Sequence, residues 1–276
     1  MKTILKASLI LAAVSYLNFG CKKDDNGGNN TSEQKTVELS SANTTSESLY
    51  DDVFSEVLQV NDQSGLNGPS GTEQIFGCAT VTVNPQDAGV FPKTVTIDYG
   101  TSGCTVLGIT RKGKIIYTIT GKFRNSGSTL SVTFENYSVN NHKLEGTYSI
   151  TNSTSGNTPS ITTQVTNGKL TYPDGKYYTY SGTRTWLQSA GVGTTSILDD
   201  EFTITGSSNV ASSEGNTLTA TIKTGLLRKM TCLNVVSGTV EVVYNNIPGL
   251  LDFGTGECDK NATVKVANKT YDITLP

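Results

Sequence analysis

Acid–base or nucleophilic chemistry has few places to start in this chain. It holds one histidine, His142, and one dense acidic cluster, Asp199-Asp200-Glu201. His142 follows an Asn140-Asn141 turn, which marks it as an exposed hairpin residue, and no Gly-x-Ser-x-Gly elbow accompanies it, so a Ser-His-Asp relay has no support. The acidic cluster stands at the entrance to a strand. Alternation there sends Asp200 to the face opposite its neighbours, so the group reads as a solvated strand start, with cation binding as the alternative, rather than as the paired carboxylates of glycoside hydrolysis. No glycine-rich phosphate loop, zinc spacing or nucleotide fingerprint occurs in the sequence. The residues point to a protein without catalytic groups, metal ligands or a cofactor.

Recognition chemistry is better served. The stretch Tyr172-Pro173-Asp174-Gly175-Lys176-Tyr177-Tyr178-Thr179-Tyr180, continuing to Trp186, surrounds a hairpin turn. Tyr178 and Tyr180 share one face and Tyr177 takes the other. Exposed rings of this kind stack on sugars or anchor a protein partner, so Tyr177, Tyr178, Tyr180 and Trp186 are the candidate binding residues. Cross-strand aromatic packing is the competing reading.

Four of the five cysteines form two pairs at equal spacing, Cys78 with Cys104 and Cys232 with Cys258. Shifting residues 78–121 onto 232–275 brings nine of 44 positions into identity. Asp98-Tyr99-Gly100-Thr101 falls on Asp252-Phe253-Gly254-Thr255, and Tyr117, Ile119 and Thr120 fall on Tyr271, Ile273 and Thr274. This is an internal repeat. In an exported chain it favours one disulfide within each copy, Cys78–Cys104 and Cys232–Cys258, each stabilising by about 3 kcal/mol, with a pairing exchanged between copies as the alternative. A 26-residue separation is too wide for paired zinc ligands. The Asp-aromatic-Gly-Thr motif suits a turn in which Gly takes positive φ and Asp and Thr bond the backbone; one Asp per copy makes a poor cation site.

The elements that must position these groups are strands. Leu130, Val132 and Phe134 alternate with Ser131, Thr133 and Glu135, and the same period of two recurs from Ile115 to Tyr244. Turn sequences such as Asn125-Ser126-Gly127, Pro173-Asp174-Gly175 and Glu214-Gly215-Asn216 separate them. The expected fold is all-β over 72–276, an antiparallel meander of ten to thirteen strands. Gly146-Thr147, Gly182-Thr183 and Gly238-Thr239 stand at strand centres, where Gly marks bulges that bend a sheet into a strongly curved sheet, barrel or sandwich. The modest number of large inward side chains leaves room for an apolar cavity. Before the sheet, Leu49, Val53 and Val57 recur every fourth residue with Phe54 and Leu58 beside them, while Glu47, Asp51, Asp52 and Glu56 face away. That spacing predicts one amphipathic helix over 45–60, packed on the sheet or plugging its end.

The fifth cysteine, Cys21, follows Lys2 and Lys6, an apolar run from Ala7 to Leu17, and Gly20. Residues 1–20 resemble a bacterial lipoprotein signal peptide, in which the cysteine at the cut is acylated and becomes the new N-terminus. Cys21-Lys22-Lys23-Asp24-Asp25 resembles the start of surface lipoproteins of Bacteroidota, and the Thr-rich β sequence with its paired Asp-aromatic-Gly-Thr-x-x-Cys units resembles uncharacterised members of that group. The resemblance implies an outer-membrane, surface-exposed address with acyl (palmitate-type) chains as the membrane attachment; it implies no activity. Residues 21–44, polar and rich in Asn and Gly, read as a flexible tether after the acylated Cys21. The chain has 21 basic and 24 acidic side chains, and loss of Lys2 and Lys6 with the signal takes the net charge from −3 to −5. Scattered, mildly acidic charge excludes a nucleic-acid footprint. The expected function is a non-enzymatic envelope binding or structural role. A carrier of an apolar or lipid ligand, a surface glycan-binding protein or a carbohydrate-active enzyme are the alternatives; the partners are the membrane and a glycan, lipid or protein ligand.

Overall fold

The computed structural model describes residues 27–63, 73–75, 78–194, 196 and 198–276. Cys21, the signal and residues 21–26 lie outside the described residues. The chain opens with α1 (Gly27–Gln63), and fifteen strands follow: β1 (Glu73–Ile75), β2 (Ala79–Asn84), β3 (Lys93–Asp98), β4 (Cys104–Val106), β5 (Ile109–Ile119), β6 (Thr129–Val139), β7 (His142–Asn152), β8 (Ser160–Thr171), β9 (Tyr177–Ala190), β10 (Glu201–Ser212), β11 (Thr217–Lys229), β12 (Ser237–Tyr244), β13 (Ile247–Thr255), β14 (Asn261–Val266) and β15 (Lys269–Thr274). Fourteen lie in one antiparallel path in chain order, with short β4 paired to β5 alone. The sheet is strongly curved and does not close into a barrel. The expected meander is therefore present, with more strands than alternation alone resolves, because three-residue strands such as β1 and β4 are too short to show a period.

Bulges supply curvature where glycine allows it. Gly146 has a φ of +119° and sits at a register shift between β7 and β8; a Cβ there would stand 2.7 Å from the Asn167 carbonyl oxygen. Gly238 repeats the device between β12 and β13, with a Cβ position 2.6 Å from the Gly225 oxygen. Neither place accepts a side chain without moving a neighbouring strand. Gly182 keeps ordinary strand geometry and instead pairs with Val165, where the shift in β8 begins.

The concave face wraps α1, which lies against β7 and β9 through β15. Its apolar stripe is buried as the spacing predicts: Leu49, Val53, Phe54, Val57 and Leu58 join Trp186, Phe202 and Ile204 in the core. The Phe54 ring is 4.6 Å from that of Trp186, and Tyr50 stacks on Tyr180 at 5.6 Å. Fully burying a side chain of this kind contributes about 1.5–3 kcal/mol.

Two expectations about this segment fail. Residues 27–44 are not a tether but the first half of α1, which starts eighteen residues before Thr45. Polar composition argued against folding because it offers little apolar area, yet this half docks through hydrogen bonds and ion pairs. Glu33 accepts from Lys269 (2.7 Å) and Tyr271 (3.1 Å), and Glu38 accepts from Tyr178 (2.8 Å). Within the helix the hydroxyls of Thr36 and Thr44 are satisfied by carbonyls four residues earlier. The second failure concerns Glu47, Asp51, Asp52 and Glu56, all of which are buried. Over this stretch the helix is enclosed by the curved sheet, so its polar face meets protein too.

Candidate functional site

The aromatic hairpin does not present a tyrosine platform. Tyr178, Tyr180 and Trp186 are buried, and only Tyr177 is exposed, at 37 %. Alternation sets the two faces as expected, but the face carrying Tyr178, Tyr180 and Trp186 is the one turned toward α1. Tyr178 donates to Glu38, Tyr180 approaches Glu47 at 3.5 Å, and the Trp186 indole donates to Thr163 at 3.1 Å. On the other face the Lys169 ammonium lies 4.5 Å from the centre of the Tyr177 ring. Near it the bulge in β8 leaves a shallow depression of about 410 Å³ on the outer surface, lined by Asn167, Lys169, Thr179, Ser181, Asn209 and Thr217. Its lining is strand surface with no buried charged group aimed into it.

His142 is half-buried and meets Tyr172 edge-on at 4.9 Å. In the acidic cluster Asp199 is exposed, whereas Asp200 is buried and accepts from the Gln188 amide at 2.6 Å. Asp200 is thus an internal polar anchor rather than part of a solvated strand start.

The cysteines pair within each copy, Cys78–Cys104 and Cys232–Cys258, with Cα atoms 5.6 and 5.4 Å apart. The repeated motif is a turn in both places. Asp98 accepts from the Gly100 N–H at 2.8 Å and Asp252 from Gly254 at 2.9 Å; both glycines have positive φ, and Tyr99 and Phe253 are buried. The copies hold β3 and β13, each third from one end of the strand order. They differ beyond the cysteine: residues aligned with continuous β5 divide into β14 and β15 in the second copy.

The densest concentration of chemical groups is one the sequence reading missed. Between α1 and the sheet, Glu47, Asp51, Asp52 and Glu56 meet Arg111, Arg184 and Arg228, all buried. Arg111 donates two bonds to Asp52, from Nε at 3.0 Å and Nη2 at 2.5 Å, and lies 3.2 Å from Glu56. Arg184 pairs closely with Asp51 and stands 3.9 Å from Glu47, whose carboxylate also accepts from Ser208 at 3.0 Å. Arg228 has no carboxylate at salt-bridge distance among the described residues. It donates to the carbonyls of Cys232 and, at 3.1 Å, Asn234, and lies 3.5 Å from the Ser55 hydroxyl.

Burial and charge set the ionisation of this layer. Burial alone would lower Arg111, but the charges of Asp52 and Glu56 outweigh it and raise it. Arg184 is lowered by burial, with Glu47 opposing and Arg228 adding to the effect. Burial pulls Arg228 down to about 10 against the attraction of Asp52. Glu56 is pushed up to about 7 by burial and then by Asp52, with Arg111 and the Tyr99 hydroxyl pulling the other way. A signal for the layer existed in the sequence: alternation puts Arg184 on the same face as Tyr178, Tyr180 and Trp186, and an arginine on a dry face demands buried acids.

Such an arrangement can hold a helix in one register and orientation. Arg111 and Arg184 bond acids of the helix, and Arg228 bonds backbone carbonyl oxygens of the sheet side. Comparison with protein-family models, with curated proteins and with solved structures finds no significant match to this chain.

Proposed function

We propose that the protein is a lipid-anchored outer-membrane component, exposed at the cell surface, that works without catalysis in a binding or structural role. The observation that carries the reading is the N-terminal order of basic residues, short apolar run, Gly20 and Cys21, followed by Lys22-Lys23-Asp24-Asp25. The folded part supports it indirectly. The concave surface that a carrier of apolar ligands would use is filled by α1, and the ionisable groups gathered there are buried beneath it, where Arg111 and Arg184 pair with its acids. The outward strand positions, rich in Thr and Ser, form the surface available to a glycan or protein ligand.

Stable anchoring takes two or more acyl chains, since each buried methylene contributes only about 0.8 kcal/mol. Cys21→Ser should therefore abolish incorporation of a palmitate analogue and move the protein from the membrane to the soluble fraction. Unchanged membrane association without the label would reject the reading.

A further inference from the structure

Four carboxylates and three guanidinium groups share the buried space between α1 and the sheet, so the layer holds one more acid than base. Arg184 serves Asp51 and Glu47, and Arg228 rests on carbonyl oxygens. Arg111 serves both Asp52 and Glu56. A surplus charge in such a place is resolved by taking up a proton rather than by ionisation.

We propose that the seat of α1 on the sheet is a proton-linked latch, in which Asp52 and Glu56 share one arginine and one proton, and the proton resides on Glu56. Geometry selects Glu56. The fork of Arg111 gives Asp52 two hydrogen bonds, whereas Glu56 has a single guanidinium nitrogen at 3.2 Å and a neutral hydroxyl, that of Tyr99, at 2.6 Å. That short contact serves in either direction: Tyr99 donates to the carboxylate, or the protonated carboxyl donates to the Tyr99 oxygen. The groups facing Glu56 are Asp52 on α1, Tyr99 after β3, Arg111 on β5 and Tyr137 on β6, with Arg228 on β11 acting through Asp52. Burial and the nearby charge of Asp52 hold the Tyr137 hydroxyl well above its ordinary range, so it stays neutral and takes none of the charge.

The direction of the pH dependence follows. Glu56 is raised from the ordinary 4.5 to about 7, so the folded protein holds this proton more tightly than the unfolded chain. The resulting stabilisation is complete below 4.5, falls away as pH rises to about 7, and changes no further above that. The latch is firm in mildly acidic surroundings and loosens toward alkaline ones.

Urea denaturation of the wild type and Glu56→Gln, compared from about pH 4.5 to about pH 8.5, tests this, because Gln keeps the shape of the neutral acid. The unfolding constant of the wild type relative to the variant should climb by up to about tenfold per pH unit at its steepest, then level off near pH 7. A ratio that stays flat, or one that falls with pH because Glu56 is needed as an anion, would overturn the proposal. Infrared spectra of the wild type supply a readout that survives misfolding of that variant: a protonated-carboxyl band should be present at about pH 6 and gone by about pH 8.5. Asp52→Asn removes the surplus charge and should abolish the band at about pH 6 as Glu56 ionises against Arg111. Absence of the band from the wild type, or its persistence in Asp52→Asn, would refute the shared proton.

Discussion

Along β9 the inward and outward side chains differ less in polarity than in what they meet. Tyr178, Tyr180, Arg184 and Trp186 point in; Tyr177, Thr179, Ser181 and Thr183 point out. Both sets carry hydroxyl groups, and the inner one also carries a full charge. Arg184 and Tyr180 meet buried acids of α1 and the Trp186 indole meets the buried Thr163 hydroxyl, in a space closed to water where each hydrogen bond is strong and each unpaired group is costly; Tyr178 meets half-buried Glu38 at the rim. The outer ones meet solvent, which replaces any bond they lose. Inside and outside are therefore distinguished here by partners rather than by hydrophobicity.

Substitutions on this one strand can break that contrast. Arg184→Ala leaves Asp51 and Glu47 buried without their cation and should destabilise by about 3–5 kcal/mol in urea denaturation of the Cys21→Ser protein. Companion replacement of Asp51 by Leu should recover part of the loss, since an apolar pair avoids the desolvation of both charges. Tyr178→Phe removes one charge-assisted hydrogen bond to half-buried Glu38 and should cost about 1–2 kcal/mol by the same assay. Tyr177→Ala, on the wet face, should stay within about 0.5 kcal/mol. A loss at Tyr177 matching that at Tyr178 would show that the outer face is covered by something in solution.

Much of the sheet was legible because its signals are local. Alternation at Leu130–Glu135 reads a strand without knowledge of its neighbours, and Asp98 and Asp252 bond a glycine N–H two residues on. The disulfide pairing was legible through the repeat that duplicates those turns. What escaped is non-local. Thr36, Ser40 and Asn43 have nothing in their own neighbourhood to mark them as buried; they are so because strands far along the chain close over them. The acids at Glu47, Asp51, Asp52 and Glu56 looked like a wet face for the same reason, since a helix pattern shows which residues share a side but not whether that side is enclosed. Alternation places Tyr178 and Tyr180 on one face of β9, and only the full length of α1, polar in its first half, decides that this face is the inner one.

The start of α1 at Gly27 has a mechanical consequence. Six residue steps from Cys21 span at most about 20 Å, so a bilayer holding acyl chains on that sulfur would keep the fold within a few nanometres of its surface. Under the proposed acylation, tension on Cys21 would be borne by the N-terminal end of α1. The contacts that hold α1 to the sheet are spread from Glu33 to Glu56, so withdrawing the helix along its length would have to break them together.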